Sequence, residues 1–455
     1  MESEQIMREN LVETKYGKVQ GVIQEDYIVF KGIPYAKPPV GELRWRAPEE
    51  PNRWEGVYKA DHFGNKCPQD EVDPDSPWGG FYYKEFYAYP EYDVPQSEDC
   101  LYLNIWIPKD AALNRRKLPV AFWIHGGGFG GGYGSEIEFD GREYCKRDVI
   151  LVTINYRVNI FGFFAHPWLD AENEKGISGN YGILDQIAAL KWVRENIEAF
   201  GGNPENITVF GQSAGSMSTQ VLTSSPLTKG MIRRAILQSG IAAENPDILF
   251  TPTLAEEEKV GQLFVDACGA KNIAELRALP WEEVLTYKRQ FDSAAMDLGV
   301  GLCLVPNADG YVLPKTVKEI YKAGEFHKIP YICGSVIDDL GCTPEGVAKK
   351  EKGPLYSENK AFAKMCHTIG EKAWVYYMDH MLHDEGGSQK PTFHSGELWY
   401  TFGTLDRCWR EMDEQDYKLS NYMLDYWTNF MKTGDPNGDG VPHWGSEVAY
   451  FNRET

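Results

Sequence analysis

The chain has 455 residues, of which 42% are hydrophobic, 25% charged and 13% aromatic, and its formal net charge is -21. This size and composition suit a globular protein whose core is large enough to fold without disulfide or metal staples. The negative balance excludes a basic stripe for nucleic-acid phosphates and any attraction to anionic membranes, and reads as solubility.

The first twenty residues, beginning Met1-Glu2-Ser3-Glu4, are polar and hold no apolar signal-peptide region. No apolar run reaches the roughly eighteen residues of a membrane span. The nine cysteines are scattered, without zinc spacing or a small-domain disulfide pattern. Reduced thiols in a cytoplasm fit this best.

Leu118–Ile124 (LPVAFWI) is a continuous apolar run, as expected of a strand buried on both faces of a parallel sheet. His125-Gly126-Gly127-Gly128-Phe129-Gly130 follows directly. Glycines there let main-chain amides approach a substrate oxygen without side-chain obstruction. Gly126, Gly128 and Gly131 also satisfy a dinucleotide-loop spacing, but Gly131-Gly132-Tyr133-Gly134-Ser135 is poorly suited to open the required helix. No cofactor is therefore expected. Val149–Ile154 reads as the next strand. Ile183, Ile187, Leu190, Val193 and Ile197 recur at helical spacing and mark one apolar face.

Ile207–Phe210 is a further apolar strand, followed by Gly211-Gln212-Ser213-Ala214-Gly215 and a helix predicted from Ala214 onward. Strand, GxSxG and helix together make a nucleophile elbow, in which the serine sits on a sharp turn. Its small flanking residues permit close strand–helix approach, and the helix start aims its amides at the reacting carbonyl. Ala235–Leu237 and Tyr331–Cys333 read as later strands. Residues 245–325 and 345–390 are charged and read as mostly helical excursions that cap the sheet. Alternating strands and helices give an α/β class, taken as one domain over residues 1–455, with a mostly parallel central sheet covered by helices on both faces.

Three features imitate metal or acid sites. Asp435-Pro436-Asn437-Gly438-Asp439-Gly440 resembles the start of a calcium loop, but Ser446 stands where a bidentate glutamate belongs. His380 and His383 lack neighbours in sequence to complete a metal site. Asp384-Glu385-Gly386 is acidic, but no apolar strand precedes it.

Ordered segments across nearly the whole chain resemble the type-B carboxylesterase family, which includes cholinesterases and bacterial p-nitrobenzyl-type esterases. They include FKGIPYAKPPVG from Phe30, EDCLYLN from Glu98, HGGGF from His125, NYRVNIFGF from Asn155 and NYGILDQ from Asn180. FGGNPENITVFGQSAGS from Phe200, AILQSG from Ala235, FHSGELWYTFG from Phe393 and TGDPNG from Thr433 complete the set. The resemblance implies an α/β-hydrolase fold and hydrolysis of small carboxylic esters without metal or cofactor. It implies Ser213 as nucleophile, His394 as general base, and the amides of Gly127, Gly128 and Ala214 as an oxyanion hole. For the acid it points to Asp339, where an aspartate replaces the family's usual glutamate and Leu340 its glycine; Asp338 is the nearer rival. The interval from Asp339 to His394 is shorter than is usual in the family. Cys67 and Cys100 match a pair bridged in secreted relatives and are expected as free thiols or a facultative bridge.

Residues 78–92 (WGGFYYKEFYAYPEY) hold eight aromatics in fifteen positions, where relatives carry a loop near the mouth of the active site. Phe81, Tyr82 and Phe86, with Phe129, are the expected substrate contacts; a wall of this kind would favour aryl or hydroxycinnamoyl esters. The alternative is a loop held down by its own side chains. Other readings are a catalytically silent binding protein of the same fold, or an amidase, thioesterase or lipase. A monomer or homodimer is expected.

Overall fold

The computed structural model describes residues 9–245, 251–297 and 303–454. The start Met1–Glu4 and parts of the first excursion lie outside them. The predicted strands form the middle of a ten-stranded sheet. Its strands are β1 (Val22–Ile23), β2 (Tyr27–Pro34), β3 (Tyr102–Pro108), β4 (Leu118–Ile124), β5 (Ile150–Ile154), β6 (Gly202–Gln212), β7 (Arg234–Gln238), β8 (Tyr331–Val336), β9 (Ala373–Met378) and β10 (Ala449–Phe451). The spatial order is β10-β9-β8-β7-β6-β4-β5-β3-β2-β1. Strands β4 to β10 run parallel to one another, whereas β1, β2 and β3 form an antiparallel edge joined to the rest by the antiparallel pairing of β3 with β5.

Alternation along each strand feeds two cores. In β4, Val120, Phe122 and Ile124 face one side and Ala121 and Trp123 the other. The first side is covered by α1 (Tyr181–Asn196), whose Ile183, Ile187, Leu190 and Val193 are buried, and by α2 (Ala214–Ser224). The second is covered by α3 (Glu414–Thr433) through Leu419, Met423, Trp427 and Phe430. The result is the α/β-hydrolase fold.

One expectation is corrected. The stretch 345–390 is not wholly an excursion from the sheet: after the helix Pro354–Thr368 it supplies β9, a buried strand paired with β8 and β10. Among the described residues no helix is long and apolar enough to cross a membrane. Cys67 and Cys100 are buried free thiols.

Register brings the chemistry to one edge. Gly211 of β6 pairs with Ile124 of β4 and Leu237 of β7. The residues just past these strands, His125, Ser213 and Ser239, and Asp339 past β8, therefore share the carboxyl end of the sheet, where α/β folds bind ligands.

Candidate active site

Ser213 joins β6 to α2 at φ 56° and ψ -125°, a backbone conformation that strains any non-glycine residue. Its N–H donates to the Gln238 carbonyl at 2.9 Å. The turn closes only because its flanks are glycines. A Cβ on Gly215 would lie 2.0 Å from the Ile124 carbonyl oxygen, and one on Gly211 would lie 2.4 Å from the Gly215 backbone.

The glycine loop after β4 holds Gly127 at φ 95° and Gly128 at φ 61°. Among the described residues, the amides of Gly127, Gly128 and Ala214 donate to no protein acceptor. Beneath the loop, His125 is fully buried and stacked on Tyr156 at 4.3 Å, with Nδ1 2.9 Å from the Gly126 carbonyl. Burial pushes its imidazole down to about 4, so it stays neutral and serves as packing for the loop.

His394 and Asp339 come together from the loops after the short strand Gln389–Pro391 and after β8. Nδ1 of His394 lies 2.6 Å from Asp339 Oδ1. The Asp339 carboxylate also accepts the N–H of Val336 at 3.0 Å and of Leu340 at 2.9 Å, which fixes its orientation. Asp338 contributes through its backbone, accepting the His394 N–H at 2.9 Å. Of the two rivals, it is Asp339 whose carboxylate meets the imidazole. Asp384 is elsewhere, paired with Arg410 at 3.2 Å.

Burial alone would lower the His394 pKa. The hydrogen bond and charge of Asp339, with the charge of Glu397, outweigh it and hold the imidazole above its ordinary value. Sequence reading missed Glu397. It is fully buried, accepts from Ser239 Oγ at 3.2 Å, and is pushed up to about 7 by burial and then by Asp339. It also missed Gln212, whose side-chain nitrogen lies 3.3 Å from His394 Nε2. With its proton on Nδ1 toward Asp339, the imidazole presents Nε2 as an acceptor, and the Gln212 amide donates to it. Among the described residues the Ser213 hydroxyl makes no hydrogen bond. Nucleophile–base contacts in ligand-free enzymes are often loose and tighten with substrate.

Phe129 is fully buried, edge-on to Phe163 at 5.1 Å, and lines a cavity of about 90 Å³ with Met217, Val221, Ala242, Pro306 and Val317. Met217 lies one helical turn past Ser213, to whose carbonyl its N–H donates at 3.0 Å. The expected aromatic wall is placed differently. Of the expected substrate contacts, Phe86 is buried and stacked on Trp399 at 5.4 Å. Phe81 and Tyr82 are half-buried and pack on Phe393.

His383 does gain acidic neighbours that sequence distance concealed, Asp413 at 3.1 Å and Asp416 at 3.6 Å. Arg453 already fills this cluster, 2.6 Å from His383 Nε2 and 3.1 Å from Asp413.

The carboxylesterase family profile matches residues 8–361 and 355–449. The chain is 33% identical to a para-nitrobenzyl esterase of Bacillus subtilis (strain 168), over 96% of this chain and 92% of that protein. A thermophilic PNB esterase structure superposes with a TM-score of 0.83 at 32% identity, covering 98% of this chain and 96% of that one. A carboxylesterase structure from Geobacillus stearothermophilus gives 0.77 at 33% identity, with the same coverage. With the matched profile spanning nearly its full length, the chain belongs to the carboxylesterase family and is a carboxylic-ester hydrolase.

Proposed function

We propose that hydrolysis proceeds through an acyl-enzyme on Ser213. His394 takes the hydroxyl proton through Nε2 as Ser213 Oγ attacks the ester carbonyl. The oxyanion is received by the amides of Gly127, Gly128 and Ala214. His394 then returns the proton to the leaving alcohol, and water repeats the sequence on the acyl-enzyme. Asp339 holds the imidazole in the productive tautomer and stabilises its charged form. The observation that carries this reading is the 2.6 Å contact between His394 Nδ1 and Asp339 at the same sheet edge as the strained Ser213. Stopped-flow mixing with a p-nitrophenyl ester tests it. A burst of p-nitrophenol stoichiometric with enzyme is expected; this step is visible only where deacylation is slower, so an ester of a hindered acid is the suitable substrate. A release matched by no covalent adduct on quenching contradicts it.

The same reading sets a pH dependence. His394 is active when deprotonated, so kcat/KM rises with pH, and the half-maximum follows the raised pKa to above 6.5. The pH profile of kcat/KM checks this; an inflection at or below 6.5 counts against the Asp339 contact in solution.

We further propose that the cavity beside Phe129 receives the acyl chain. At about 90 Å³ it is well below the range of drug-sized ligand pockets, roughly 300–1,000 Å³. Acetyl and butyryl esters should then exceed octanoyl esters in kcat/KM by about tenfold or more, and Val221→Ala should narrow that gap. An unchanged chain-length ratio in the variant ends this assignment. Phe81 and Tyr82 pack on Phe393 and Phe86 stacks on Trp399, so these rings give no support to an aryl preference. No observation favours the silent binding protein, since acid, imidazole and hydroxyl are all present.

A further inference from the structure

The segment richest in aromatics packs against the loop that carries the imidazole. It comprises the helix Pro77–Tyr82, capped by Ser76, and a π-helical turn over Tyr83–Tyr87. Turns of this kind are frequently found at functional sites. Phe81 meets Phe393 edge-on at 4.7 Å, and Lys390 Nζ lies 3.6 Å from the centroid of the Phe81 ring. The neighbour Tyr82 reaches 312 positions along the chain to donate its hydroxyl to the His394 carbonyl at 2.9 Å.

The His394 backbone has few other restraints. Its N–H donates to the Asp338 carbonyl at 2.9 Å, which ties it to the acid loop. The next residue, Ser395, turns at φ 80°, and Gly396 donates back to Phe393 rather than to His394. Among the described residues, Tyr82 is the one donor to the His394 carbonyl. The main chain of the base is thus held at two points, one on the acid side and one from Tyr82.

Tyr82 can act as a fixed point because the segment is anchored just beyond it. Glu85 is fully buried and accepts from Arg410 Nε at 3.2 Å and Nη2 at 2.9 Å, from Trp399 Nε1 at 3.1 Å, and from Trp409 Nε1 at 2.9 Å. Charge-assisted bonds of this number and burial leave such a carboxylate little freedom. Phe86 adds its stack on Trp399, which itself follows His394 by five residues.

We propose that Tyr82 is a positioning residue for the reaction, holding the His394 main chain so that the imidazole keeps its alignment with both Asp339 and Ser213. This rests on the reading of His394 as the base. The ionisable groups facing the pair are Asp339, Asp338, Glu397 and Glu85. Burial, followed by these carboxylates, pushes the Tyr82 phenol far up, so it remains a donor throughout the working pH range.

The test is Tyr82→Phe, which deletes one hydroxyl and keeps the ring. Without the tether the imidazole relaxes away from Asp339. kcat should fall roughly tenfold, since small misplacements of reacting groups are costly, with KM within about twofold. The acid limb of the kcat/KM profile should move to lower pH as His394 loses part of its Asp339 contact. Tm should stay within about 3 °C, as for one net hydrogen bond. A kcat within twofold of wild type overturns the proposal, and so does a kcat loss that leaves the acid limb in place. His394→Ala measured alongside separates the two readings. If it retains activity, the base assignment itself fails; if it is inactive while Tyr82→Phe is unaffected, only the tether fails.

Discussion

Ser213→Ala is expected to lower kcat by roughly 10⁶-fold, the size seen when a serine nucleophile that works as a unit with its base is deleted. KM should change little, because the cavity beside Phe129 and the glycine loop do not depend on the hydroxyl. A residual rate above the uncatalysed reaction should persist through the amides of Gly127, Gly128 and Ala214. The variant also separates chemistry from strain. Ser213 occupies φ 56°, which alanine tolerates no better than serine, whereas glycine is at ease there. Ser213→Gly should therefore be equally inactive yet more stable than Ser213→Ala by about 1 kcal/mol, measured by denaturant unfolding. A loss of activity below about a hundredfold would place the nucleophile elsewhere.

The second large effect is expected at Asp339. Asp339→Asn keeps the volume but removes the charge and one acceptor. The carboxylate now accepts from His394 Nδ1 and from the N–H groups of Val336 and Leu340. An amide cannot satisfy all three, and its NH₂ turned toward the imidazole would favour the tautomer protonated on Nε2, which cannot take a proton from Ser213. A fall in kcat of about 10⁴-fold is expected. Because Asp339 contributes most to holding His394 above its ordinary value, the residual activity should have its acid limb displaced to lower pH. Asp338→Asn is the control. Its carboxylate makes no contact with the imidazole and its backbone bond to His394 survives, so activity should stay within a few-fold. Equal losses at the two positions would contradict the assignment of the acid.

The parts of this protein that were readable from sequence are those whose physics is local. Leu118–Ile124 was read to the residue, because a strand buried on both faces must be apolar throughout. The elbow was readable because a serine at positive φ between strand and helix requires glycines at both Gly211 and Gly215. The edge strands β1 to β3 and the strand β9 were harder. Ala373–Met378 is as apolar as the other central strands, but the charged residues on both sides, such as Lys372 and Asp379, disguised it as part of a solvated excursion. The residues that surround the imidazole were least legible. Tyr82, Gln212 and Glu397 each act on His394 or its surroundings through a contact that only the folded chain creates, and the Tyr82 contact spans 312 positions. The aromatic cluster at residues 78–92 was visible as composition; that its rings face the histidine loop depends on the buried Glu85–Arg410 pair, which no local pattern announces.

Covalent labelling tests the central claim most directly. The native protein would be treated with diisopropyl fluorophosphate, digested, and the modified peptide sequenced by mass spectrometry, in parallel with His394→Ala. One phosphoryl group per chain on Ser213, with loss of esterase activity in step and labelling strongly slowed in the variant, is the predicted result. Full esterase activity after treatment, or a label on any other residue that tracks the loss of activity, would contradict it.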